Sequence, residues 1–180
     1  MDKDLINTIN DCFNKAKNSK NIIIGICLQY DTDDEFFKEY ENHPQIKIKK
    51  MHYKEAKGPM YARYFCTKLV TDELYFLQID CHTRFYQDWD VIIINELKKC
   101  EILHDKCVIS HYPLNIKNIN DENNKKKIGL IRTFRYIGVD AIKSHGSIDN
   151  IPNEPKQSFG IMAAMIFMRS SALREVPYGI

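Results

Sequence analysis

The stretch YFLQIDCHTRF, Tyr75 to Phe85, runs apolar and aromatic almost without a break and stops at Asp80-Cys81-His82. A carboxylate and an imidazole one residue apart can reach a single divalent cation if the backbone turns between them. Mixed oxygen and nitrogen ligation suits Mn²⁺, Zn²⁺ or Fe²⁺ better than Ca²⁺ or Mg²⁺. The competing reading is an Asp that closes a turn beside a surface His. Upstream, YKEAKGPMYARY (53–64) sets Lys54, Lys57 and Arg63 around a Gly58-Pro59 helix start, and the unsatisfied N–H groups and dipole of such a start favour anions. A diphosphate bridged to a cation at Asp80 and His82 fits both clusters. Against it stand a solvated loop for the two lysines and a structural ion pair for Arg63, which lies among Met60, Tyr61, Tyr64 and Phe65.

These residues need elements to position them. Leu5, Ile6, Ile9, Cys12, Phe13 and Ala16 fall at helical spacing, so 3–18 reads as an amphipathic helix. NIIIGICLQY (21–30) is β-branched and apolar on both faces, as in a strand covered by helices on each side. DTDDEFFKEYEN (31–42) reads as a loop running into a short helix, and IKIKKMHY (46–53) as a half-buried or edge strand. A helix over 59–71, a strand over 74–80, a helix over 89–103 and a strand over 107–112 follow, then a polar loop over 115–127. Two late strands, 128–140 and 159–168, are separated by a Pro/Asn/Ser segment. Alternating helices and strands predict an open, mostly parallel α/β sheet flanked by helices, as one domain over 1–180. In such a sheet ligands bind off the carboxyl ends of the strands, which is where Asp80 and His82 fall.

Composition narrows the function. The 180 residues, 44% hydrophobic, suffice for one domain with a core. Lys+Arg number 26 against 24 Asp+Glu, with no basic stripe interleaved with aromatics, which argues against a nucleic-acid partner. Six cysteines stand singly without a CxxC pair, and Cys12, Cys27 and Cys66 fall on apolar faces. They read as reduced core thiols, which favours the cytoplasm. MDKDLINTIND has no apolar leader core and no run approaches the ~20 residues of a membrane span. Of the other histidines, His43, His52, His104, His111 and His145, none has a spacing that demands a metal, and His111, at the end of a predicted strand, is the best spare candidate.

The combination of EAKGPMYAR (55–63) with YFLQIDCHTRF and the following Trp89-Asp90 resembles the cytoplasmic glycosyltransferase family typified by the N-acetylglucosaminyltransferase that modifies hydroxyproline on a ubiquitin-ligase subunit. The likeness runs from INTINDCFNKAKN through IGICLQ to SALREVPY (171–178). That family is in turn distantly similar to the polypeptide N-acetylgalactosaminyltransferases, whose metal motif is also Asp-x-His. The resemblance implies a GT-A type fold, a UDP-sugar donor, UDP-GlcNAc by analogy, a protein or glycan acceptor, and Mn²⁺ or another divalent cation. On it, Asp80 and His82 are metal ligands and Asp80, Arg63 and, more weakly, Lys57 face the donor. Trp89 and Asp90 match the family's pattern yet read first as a helix start. No catalytic nucleophile is identifiable.

The resemblance also marks departures. Family members open with a strand of the type IFVSIASYRD, and this chain begins with the helix. They continue past the LREVPYGI end into an acidic segment and a histidine region. Both ends are therefore expected to be cut, with the first sheet strand, a third metal ligand and much of the acceptor site absent. A sheet short of a strand is open to association through its edge. Two rival readings follow. One is a non-catalytic transferase remnant that binds nucleotide or metal, or needs a complementing chain. The other is a two-metal phosphoryl-transfer enzyme built on Asp80, Asp88 and Asp90.

Overall fold

The computed structural model describes residues 4–31, 38–118, 121–124, 126–137, 141–158 and 160–179. Helix α1 (Leu5–Lys15) buries Ile9 and Cys12, as its spacing requires, and Lys15 lies in its last turn where the dipole favours a cation. Strand β1 (Ile24–Tyr30) pairs in parallel with β2 (Ile46–His52), Ile24 opposite Ile46 and Tyr30 opposite His52. Between them lies the short helix α2 (Lys38–Glu41). The preceding 32–37, part of the expected acidic loop, lies outside the described residues. Ile9, Ile26, Leu28 and Ile46 form one core where α1 covers this pair of strands. Burying side chains of this size stabilises by roughly 1.5–3 kcal/mol each before ordering costs.

Helix α3 (Pro59–Lys68) starts where proline puts it, after Gly58, whose φ of 89° is a conformation other residues adopt only with strain. Strand β3 (Tyr75–Ile79), helix α4 (Trp89–Leu103) and strand β4 (Val108–Ser110) follow. Strand β7 (Met165–Arg169) runs antiparallel between β3 and β4. Leu97, fully buried, packs with Met165 and Phe167 as the second core, under α4.

The sheet order corrects the expectation of a mostly parallel sheet. Among the described residues only β1 and β2 form a parallel ladder, while β3-β7-β4 is antiparallel and the fold is mixed α/β. The pattern of a strand encodes burial and not direction. Met165 to Met168 are all buried, as a strand with neighbours on both sides demands, and they enter the sheet in reverse. Because β7 opposes both neighbours, β3 and β4 remain parallel to each other and their carboxyl ends lie at the same edge.

A second correction concerns the segment between the late strands. Strand β5 (Lys127–Ile137) pairs antiparallel with β6 (Ala141–Asn150), where the sequence suggested a polar separator. AIKSHGSIDN has weak strand propensity, and cross-strand pairing supplies what propensity does not. The expected end of the earlier strand, 138–140, lies outside the described residues. Gly129 lets this ribbon meet the sheet: a Cβ there would sit 2.4 Å from the Tyr112 carbonyl oxygen, to which residue 129 is joined by an isolated bridge. Helix α5 (Ala172–Glu175) closes the described chain apart from 176–179.

A polar seam joins α1 to the segment after β3. The Thr8 hydroxyl donates to the Cys81 carbonyl at 2.8 Å, and the Phe85 N–H donates to the Asp11 carboxylate. The Lys15 ammonium donates to the Phe85 carbonyl at 2.7 Å, and the Trp89 indole N–H to the Cys12 carbonyl at 2.9 Å. Residues 80–90 are thus held against one face of the first helix along its whole length.

Candidate functional site

Strand β3 delivers Asp80 one residue past its last ladder position, and the chain turns there at once. The Thr83 hydroxyl donates to the Asp80 carbonyl at 2.7 Å, closing a turn over 80–83. Its middle residues, Cys81 and His82, are exposed, with the Cys81 sulfur 3.9 Å from His82 Nδ1. Asp80 and His82 therefore occupy a turn pinned from within by Thr83 and from behind by Thr8. The backbone between the Asp80 carboxylate and the His82 imidazole is thereby fixed.

Arg63, one full turn inside α3, reaches this turn. Its Nη2 lies 3.3 Å from Asp80 Oδ1, with the Arg63 side chain 20% and the Asp80 side chain 39% exposed. A half-open pair of this kind gains little on its own, since solvent screens it. It does put a fixed cation beside a carboxylate at a strand end. Lys57 has its ammonium 5.2 Å from the centre of the Tyr61 ring, and Lys54 stands 5.9 Å over Tyr53. The described contacts of these lysines are with aromatic rings, and only Arg63 is joined to Asp80.

Two residues that sequence reasoning did not single out complete the surroundings. Gln78, 7% exposed, lies two positions before Asp80 on β3. Its side-chain N–H donates to the Ala163 carbonyl at 2.7 Å, and its carbonyl accepts the Tyr178 hydroxyl at 2.5 Å. Across the sheet, Ser110 Oγ donates to the Met162 carbonyl at 3.0 Å and accepts the Met162 N–H at 2.7 Å. Gln78 and Ser110 both face Ile166 in the ladder, so a single row of the sheet clasps the 162–163 segment from two sides. The signal for Gln78 was legible: an amide in the middle of the apolar run YFLQI is buried and must be satisfied. Tyr178 carried no comparable signal.

His111, the spare candidate, follows β4 directly, so it leaves the sheet at the same edge as Asp80 with β7 between. Its Nδ1 is buried without a hydrogen-bond partner, and burial pulls its titration below the ordinary histidine value, which favours the neutral ring.

Trp89 and Asp90 are structural, as their helix-start reading expected. The Asp90 carboxylate is 7% exposed and accepts the backbone N–H groups of Lys17 at 2.8 Å and Asn18 at 2.9 Å. Burial alone would raise its pKa, and the N–H groups of Lys17, Asn18 and Val91 outweigh that and hold it low. A carboxylate so engaged serves the chain and not a second metal, and among the described residues no group of three His, Cys, Asp or Glu is placed to hold an ion. The reading that needed Asp80, Asp88 and Asp90 to converge has no geometric support. A cavity of about 270 Å³ lies at the opposite end of β3, lined in part by Glu73, Arg169 and Arg174. Two of those charges are already paired, Glu73 with Lys47 and Arg169 with Glu101.

The chemistry of the donor set suits a manganese-type cation in part. One carboxylate and one imidazole come from the same pinned turn, and further ligands would come from a bound diphosphate and water. The Arg63 guanidinium beside them matches the excess negative charge of such a ligand.

All six cysteines are thiols. Among the described residues no helix is long and apolar enough to cross a membrane. The model of a protein family described as glycosyltransferase (GlcNAc) matches residues 37–179. No curated protein and no solved structure matches the chain.

Proposed function

The chain belongs to the glycosyltransferase (GlcNAc) family, and on that premise we propose that it moves GlcNAc from UDP-GlcNAc to a hydroxyl of a protein or glycan. The six unbridged thiols accord with a reducing compartment. The observation that carries the reading is the Arg63–Asp80 contact at the carboxyl end of β3, in a turn that also presents His82.

Asp80 and His82 would hold Mn²⁺ or another divalent cation, which when bound supplies Lewis-acid stabilisation of the charge on the departing UDP. Arg63 binds the diphosphate by charge-assisted hydrogen bonds and is restrained by Asp80 before the donor arrives. Lys57, on the loop before Gly58, adds a weaker long-range attraction for the donor. The turn over 80–83 keeps both ligands oriented, so little ordering is left for the binding step.

Calorimetric titration of UDP and UDP-GlcNAc, with Mn²⁺ and with EDTA, tests this reading. Binding is expected with Mn²⁺ and is expected to be lost with EDTA and in Asp80→Ala. A folded chain that binds neither nucleotide with Mn²⁺ would refute it. A second reading, a nucleotide-binding module without transfer, needs only the Arg63–Asp80 pair at the strand end and no third metal ligand. It is distinguished by retained Mn²⁺-dependent binding with no sugar released or transferred.

A further inference from the structure

We propose that Tyr178 is a positioning residue of the donor site, acting through Gln78 to hold the end of β3 and the neighbouring 162–163 segment in place. The inference rests on the donor-site reading of Asp80 and Arg63.

Gln78 is the second-last residue of β3, two positions before Asp80, which follows the last ladder position of the strand. Whatever fixes Gln78 therefore fixes the strand end from which Asp80 projects. Gln78 is held at both atoms of its amide, by the Tyr178 hydroxyl at 2.5 Å and the Ala163 carbonyl at 2.7 Å. The first of these partners comes from a segment 100 positions away, beyond α5, and the second from the turn leading into β7. The hydroxyl also sets the amide's orientation. With its carbonyl engaged by a donor, the Gln78 NH₂ must face Ala163.

Tyr178 also feels the Arg63 charge. Burial pushes its phenol up, and the Arg63 guanidinium opposes that electrostatically. Arg63 Nη2 itself lies 3.3 Å from Asp80 Oδ1, just past the strand end that Gln78 helps to hold. The Tyr178 hydroxyl thus holds the strand end through Gln78.

The decisive comparison is Tyr178→Phe against the unaltered chain, titrated with UDP and with uridine, both in Mn²⁺. Loosening of the strand end predicts a severalfold fall in UDP affinity, with about tenfold as the ceiling if one hydrogen bond's full net worth is expressed in binding. Uridine, which carries no phosphate, is expected to bind the two proteins equally. General loosening of the fold would weaken both ligands alike, and that result would overturn the proposal. So would unchanged UDP affinity in Tyr178→Phe. The double variant Tyr178→Phe with Gln78→Leu adds a test of the pair. If Tyr178 acts through Gln78, the two changes together lower UDP affinity by much less than the product of the single effects; multiplicative effects would refute the route. Failure of the unaltered chain to bind UDP would sink the transferase reading and this inference together, whereas binding that ignores Tyr178 would sink this inference alone.

Discussion

The Thr8 hydroxyl donates to the Cys81 carbonyl across 73 positions of sequence, at 2.8 Å, so the first helix holds the turn between the two candidate metal ligands. Thr8 is buried and its hydroxyl also accepts from Arg84 at 3.3 Å. Thr8→Val keeps the shape and deletes the hydroxyl, leaving the Cys81 carbonyl and the Arg84 guanidinium each short of a partner. We expect a stability loss of roughly 1–3 kcal/mol, measured by denaturant unfolding. UDP affinity in Mn²⁺ should fall with it, because the turn that carries Asp80 and His82 is loosened.

Asp90 provides the contrasting case. Asp90→Asn puts an NH₂ where two backbone N–H groups converge, so one donor is left facing another. A cost of about 1–3 kcal/mol is expected, read as a lowered unfolding midpoint. In the protein that remains folded, UDP affinity should be unchanged. A loss of affinity as large as in Asp80→Ala would overturn the structural role given to Asp90.

The pH dependence of stability should carry a contribution from Glu73. Burial would raise its carboxyl, yet hydrogen bonds from Lys47 and the Thr71 N–H prevail and bring it from 4.5 down to about 2. Its folded value is below its unfolded value, so its contribution is complete above pH 4.5 and is lost as pH falls towards 2. We expect Glu73→Gln to be roughly 1–3 kcal/mol less stable than the unaltered chain at neutral pH, with the gap narrowing as pH falls from 4.5 towards about 2. A gap independent of pH, in urea unfolding series from pH 7 to pH 2.5, would show that the Lys47 pair contributes nothing through charge.

Thiol labelling reports on the site directly. Cys81 is exposed between Asp80 and His82, whereas Cys12 is buried and its thiol is pushed up to about 12 by burial, then by Asp11 and Asp90. Burial likewise pushes Cys66 up to about 11. Only thiolates react with iodoacetamide, so peptide mass spectrometry at pH 8 should find Cys81 labelled well before Cys12 and Cys66. UDP with Mn²⁺ should slow labelling of Cys81 and leave Cys107, at the far end of β4, unaffected. Equal labelling of Cys81 with and without the ligands would argue against donor binding at this turn.

Much of this was determined by sequence alone, because it depends on neighbours along the chain. Helix α1 follows from the spacing of Leu5, Ile9 and Cys12, α3 from Gly58-Pro59, and α4 from the periodic run after Trp89, whose bounds of 89 and 103 the structure reproduces. The abrupt end of YFLQI at Asp80 likewise located the candidate site. Tertiary structure alone decided the rest. Strand direction was invisible because an apolar run reads the same either way, so β7 could not be foreseen as antiparallel between β3 and β4. Strand β6 was hidden because its polar residues gain their order from β5 and not from intrinsic preference. The Gln78–Tyr178 contact spans 100 positions, and a hydrogen bond between two such residues leaves no periodic trace in either. Local pattern fixes which residues form an element, whereas the partners of a buried polar group depend on which distant segments the packing brings together.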